Sequence, residues 1–109
     1  MLVTRGEIFL ANLDPVIGSE QGGTRYVVVL QNDKGNLHSQ TTIVAAMTSQ
    51  PKKRLPTHVE VTVNGVQNVV LLEQIRTLSS DRFIEPVGVM DEKDMQAIER
   101  AVKRSLDLW

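Results

Sequence analysis

Cysteine is absent from the chain, which excludes disulfides and thiolate metal sites. Histidine is scarce. His38 and His58 are the only two, too few for a usual zinc site without carboxylate help. No apolar run approaches the length of a membrane span, and no signal peptide opens the chain, so a cytoplasmic protein that keeps away from membranes is expected. Neither sign of charge dominates. The formal net charge of −1 argues against non-specific coating of nucleic acid, while leaving room for a local basic patch. Gly18, Gly22 and Gly23 match the spacing of neither a P-loop nor a dinucleotide fingerprint. No internal repeat, low-complexity tract or linker interrupts the sequence.

What is present is ordinary in bulk. The 109 residues are 41% apolar and 23% charged, enough for one compact domain over 1–109 with its own core. Glu7 to Leu13 reads as a strand closed by Asp14-Pro15. Tyr26 to Leu30 is apolar on both faces and reads as a central strand. Asn32 to Asn36 is a turn cluster, and Thr41 to Met47 a third strand. His58 to Val63 alternates valine with polar residues. Asn64-Gly65 is a strong hairpin signal, and Val69 to Leu72 the returning strand. Five or more short strands with close turns predict a small, strongly bent sheet or barrel. Ser79 to Ile84 is read as a helical turn before Pro86. The end is helical. Asp91 is the expected N-cap, and Met95, Ile98, Val102, Leu106 and Trp109 recur at helical spacing as one apolar stripe. That stripe is expected on the sheet, with a share of it open to a subunit interface.

The most informative stretch is Gly18-Ser19-Glu20-Gln21-Gly22-Gly23-Thr24-Arg25. A glycine-rich polar loop delivers a permanently charged, fork-shaped phosphate binder to the mouth of a strand. Thr48, Ser49 and Gln50 end the third strand, and Lys52, Lys53, Arg54 and Leu55 follow before Pro56. Adjacent strands can bring Arg25 and Thr48 to one rim, which suits a polyanion. Metal ligands and a triad base are lacking. RNA, however, carries its own nucleophile, the 2′-hydroxyl. An enzyme need only align it, stabilise the crowded phosphorane and manage two protons.

The blocks Arg5 to Ile8, Leu13 to Arg25, Val29 to Asp33, Ile43 to Gln50, Leu55 to Glu60 and Val70 to Thr77 together resemble the MazF/PemK/Kid toxin family. The likeness spans nearly the whole chain, in the right order, and is strongest to the Gram-positive bacterial type. The resemblance implies a mainly β fold with helices, a small SH3-like barrel of the CcdB/PemK type with a C-terminal helix, assembled as a homodimer. It implies a ribosome-independent, sequence-specific endoribonuclease acting on single-stranded RNA. The expected ends are a 2′,3′-cyclic phosphate and a 5′-hydroxyl. It further implies a cognate antitoxin protein as partner, and neither cofactor nor metal.

Family catalytic positions fall on Arg25 and Thr48. Substrate contacts are implied for Ser19, Glu20 and Gln21, for Ser49, Gln50, Lys52, Lys53, Arg54 and Leu55, and for Gln74. Arginine is a poor base, so Arg25 is assigned to clamping the scissile phosphate, with Thr48 as its hydrogen-bonding companion. Glu20 is read either as proton acceptor or as a contact to a base edge. His58 is expected to make a structural hydrogen bond, Arg76 to be structural, and Tyr26 to pack. Tyr26 departs from the family, which carries proline after this arginine; tyrosine restores an amide and adds bulk. A reading of another class stays open: a non-catalytic toxin like CcdB, using the Trp109 end against a protein target such as gyrase.

Overall fold

The computed structural model describes residues 1–51 and 53–109. The strands are β1 (Glu7–Asn12), β2 (Thr24–Val29), β3 (Thr41–Thr48), β4 (His58–Val63), β5 (Val66–Ser79) and β6 (Phe83–Val89). The helices are α1 (Asp33–His38) and α2 (Glu92–Leu106), with a short 3-10 turn at Ser80–Arg82. All six strands form one antiparallel sheet in the order β4-β5-β3-β2-β1-β6, curled into a half-barrel as the short strands and tight turns predict.

The central strands are apolar on both faces because each face is buried. In β3, Ala45 and Met47 join one core cluster with Val28, Leu72 and three α2 residues, Met95, Ile98 and Ala101. Their neighbours Val44 and Ala46 join the other cluster, with Phe9, Leu13, Val27, Val29 and Leu78. Helix α2 lies against β4 and β5. It starts where Asp91 accepts from the Asp94 amide at 2.8 Å, and Lys103 and Arg104 occupy its last turn, where the macrodipole favours cations. Beyond Val102 the stripe leaves the core: Leu106, Leu108 and Trp109 are exposed.

The hairpin forms at the expected dipeptide. Asn64 and Gly65 both have positive φ (50° and 77°), as a type I′ turn requires. The turn joins β4 to β5 through the pair Val63 and Val66.

Two local readings are corrected. The Asn32 to Asn36 cluster is not a turn. Asn32 caps α1, accepting from the Gly35 amide at 2.8 Å, and the buried Asn36 holds the helix to the sheet by accepting from the Thr42 hydroxyl at 2.6 Å. The returning strand is longer than Val69 to Leu72 and runs on to Ser79. The helical turn expected within Ser79 to Ile84 is present as the 3-10 turn Ser80–Arg82, with Phe83 and Ile84 already in β6. Proline is tolerated in this strand because β6 is at the edge of the sheet.

Candidate active site

The glycine-rich loop is fastened at several points. Arg76 on β5 donates to the Leu13 carbonyl at 2.9 Å, and Arg82 donates to the carbonyls of Asn12 and Asp14. Asp14 accepts from the Gly23 amide at 3.0 Å. Gly23 has φ +77, and a Cβ on Gly22 would sit 2.7 Å from Val16 and 2.8 Å from the Asp14 carboxylate. The two glycines are therefore steric requirements of this loop closure.

Arg25 is held by what precedes it. Its Nε donates to the Gly22 carbonyl at 3.0 Å. The Gln21 carboxamide lies 3.0 Å from Nε and Nη2, and with its oxygen turned to them it accepts both. The guanidinium is thus gripped from its Nε side by its own loop. Thr48 is at the end of the neighbouring strand β3. The β2–β3 ladder ends at the pair Val27 and Ala46, and Arg25 and Thr48 lie two residues beyond it on their strands. The Thr48 hydroxyl is only 7% exposed as a residue and accepts from the Gln50 amide at 3.1 Å, so it is fixed in direction.

Both side chains line one groove of about 840 Å³, shared with Ser19 and Gln21 of the loop, with Ser49, Gln50, Lys53 and Leu55 after β3, and with Gln74 of β5. Gln74 fastens the loop, accepting from the Gln21 amide at 3.1 Å and donating to the Ser19 carbonyl at 3.4 Å. Glu20 turns back to accept from the Ile17 amide at 2.8 Å and lines a neighbouring pocket with Gln21, Gln74 and Arg76. Arg54 pairs with Glu60. Lys52 lies outside the described residues. Tyr26 packs on the core. Among the described residues no group of three His, Asp or Glu side chains is placed to hold a metal ion.

Glu73 is a groove residue that sequence reasoning missed. The β3–β5 register slips between Ala45 and Met47, and the extra β5 residues bulge to bring Leu71, Glu73 and Gln74 to the rim. Glu73 accepts from Thr57 Oγ1 at 2.9 Å and meets His58 Nε2 at 2.8 Å. Partial burial pushes its carboxyl up. The bonds from His58, its own backbone and Thr57 outweigh this and leave it below the ordinary value. A lowered carboxyl is stabilising above its unfolded value, and that stability is lost as pH falls through the folded one. The stability gap between wild type and Glu73→Gln is therefore expected to be open at neutral pH and to close in acid. Urea midpoints across pH check this, and a gap unchanged into strong acid contradicts it.

A curled antiparallel half-barrel with a C-terminal helix is the fold of a known class of small toxins. A MazF crystal structure from Deinococcus radiodurans superposes with TM-score 0.87 at 24% identity, covering 99% of both chains. An endoribonuclease from a mycobacterial species, solved in complex with its cognate antitoxin, superposes with TM-score 0.83 at 20% identity, over 98% of this chain and 97% of that one. The chain belongs to the family described as "PemK-like, MazF-like toxin of type II toxin-antitoxin system", which matches residues 4–106. It is 46% identical to Endoribonuclease EndoA of Bacillus subtilis, over 99% of this chain and 97% of that protein. It is also 46% identical to Endoribonuclease MazF of Staphylococcus saprophyticus, over 98% of this chain and 93% of that protein.

Proposed function

We propose that residues 1–109 act as one toxin domain, a sequence-specific endoribonuclease that cuts single-stranded RNA in the cytoplasm without a metal ion. The observation that carries the reading is that Arg25 of β2 and Thr48 of β3 line one groove. The 46% identity to two named endoribonucleases supports it.

In this mechanism the RNA supplies the nucleophile. Its 2′-oxygen attacks the adjacent phosphorus, losing a proton to solvent. The bond to the 5′-oxygen breaks, and that oxygen takes up a proton. The products are a 2′,3′-cyclic phosphate and a 5′-hydroxyl. Arg25 holds the non-bridging oxygens and stabilises charge as the phosphorane forms. Thr48, fixed by Gln50, aligns the phosphate or the 2′-hydroxyl. Ser19, Gln21, Ser49, Gln50, Lys53, Leu55 and Gln74 line the path of the strand.

The working unit is a homodimer, and a cognate antitoxin restrains it by laying an acidic segment along the groove in competition with RNA. The family match favours this reading over a gyrase-directed CcdB-like toxin.

Incubating the purified chain with a long RNA in EDTA tests the proposal. Discrete cuts with 5′-hydroxyl ends are expected. Intact RNA together with stalled gyrase would move the function to the other class.

A further inference from the structure

His58 lines the groove with both ring nitrogens engaged by protein partners. Its side chain is 4% exposed. It opens β4 opposite Leu71 of β5, directly after the segment that carries Lys53 and Leu55 into the groove.

Its two ring nitrogens have different partners. Nδ1 accepts from the Leu55 amide at 3.3 Å, and Nε2 faces Glu73 Oε2 at 2.8 Å. The backbone closes the same turn, with the His58 amide donating to the Leu55 carbonyl at 3.0 Å. Leu55 is thus gripped at both its amide and its carbonyl by one residue. Glu73 adds a second strap through the Thr57 hydroxyl, and the Leu72 amide a third through the Thr57 carbonyl at 3.0 Å.

The bonding pattern fixes the chemistry of the ring. An N–H pointing at Nδ1 requires a lone pair there, so the ring's proton is on Nε2 and is donated to the carboxylate. Both nitrogens are committed, and a ring engaged in this way is poorly placed to take a proton from RNA.

We propose that His58 is a positioning residue, a neutral Nε2–H imidazole that with Glu73 clamps the segment from Lys53 to Thr57 as one wall of the RNA groove and takes no part in proton transfer. The inference rests on the groove being the RNA site. It separates binding from chemistry: loss of the clamp loosens the wall that meets the strand, while Arg25 and Thr48, held by other bonds, keep their places.

Three variants divide the clamp. Asparagine places Oδ1 where Nδ1 was and retains the Leu55 bond. Glutamine reaches Glu73 but not Leu55. Alanine makes neither bond. The probe is a single-stranded RNA oligonucleotide spanning a cut mapped with the wild type. His58→Ala is expected to raise KM about three- to tenfold, the scale of one or two lost hydrogen bonds, with kcat little changed. His58→Asn is expected to restore most of KM. A general acid or base would instead lose roughly a hundredfold or more in kcat in both variants, and that result overturns the proposal, as does an unchanged KM in folded His58→Ala. The tautomer is read without RNA, from long-range proton–nitrogen spectra of the wild type near neutral pH. Protonation on Nδ1 refutes the clamp even if the enzyme is active. Should the wild type cut no RNA, the functional reading falls by itself, and the tautomer with exchange protection of the Leu55 amide still decides whether the clamp exists.

Discussion

Replacing Arg25 with alanine is expected to slow RNA cleavage by about a hundredfold to a thousandfold, the usual consequence of removing a preorganised donor at developing charge. The expectation follows from how the side chain is held. Gly22 and Gln21 grip the guanidinium from its Nε side, so it is already aimed and gives up little reorganisation when the phosphorane forms. RNA binding should fall less, because Lys53, Gln74 and the polar loop still line the groove. Arg25→Lys should recover only part of the rate, since an ammonium cannot keep both the loop bonds and a forked phosphate contact. Single-turnover kinetics with saturating enzyme separates the chemical step from binding. An alanine variant that cuts at the wild-type rate removes Arg25 from the mechanism.

Ile98→Ala carries the largest expected change in stability. The side chain is fully buried in the cluster that joins α2 to Leu72, Val61 and Val70. Shortening it removes apolar contact and leaves a cavity beneath a helix, a change of about 2–5 kcal/mol. Domains of this size are stable by only about 5–15 kcal/mol, so a large fraction is lost. Leu106→Ala on the same stripe is the control. Leu106 is more than half exposed, and its loss in the isolated chain should stay within about 0.5 kcal/mol. Urea unfolding of both variants at one protein concentration measures the difference. Equal values for the two would mean that α2 does not pack through Ile98.

The contrast between those two residues shows what a periodic pattern can convey. The spacing from Met95 to Trp109 marks a helix and its face, and Asp91 marks its start. The pattern does not say where the sheet beneath runs out, and Leu106 and Trp109 extend past it. β2 and β3 were legible because β-branched runs apolar on both faces have few other uses. β6 was not, since Pro86 reads as a breaker until the strand is known to be at an edge. The capping role of Asn32 was hidden by a residue set that also makes turns.

Within the groove, Arg25 and Thr48 could be named because short blocks of sequence resemble a family and because they lie near the ends of neighbouring strands. Glu73 could not, because it becomes a groove residue only through the β5 bulge. A signal did exist. The Asn64-Gly65 turn fixes the pairing of His58 with Leu71, which leaves Glu73 on the diagonal from His58, within reach of a long side chain.

The border strand β6 has a consequence for how the protein behaves when crowded. Its pairing with β1 is interrupted twice, and Pro86 deprives it of one amide hydrogen. A foreign strand seeking to extend the sheet there would find an uneven, incomplete row of donors rather than a continuous template. Fibril growth through that border is therefore discouraged by the covalent structure of the chain itself.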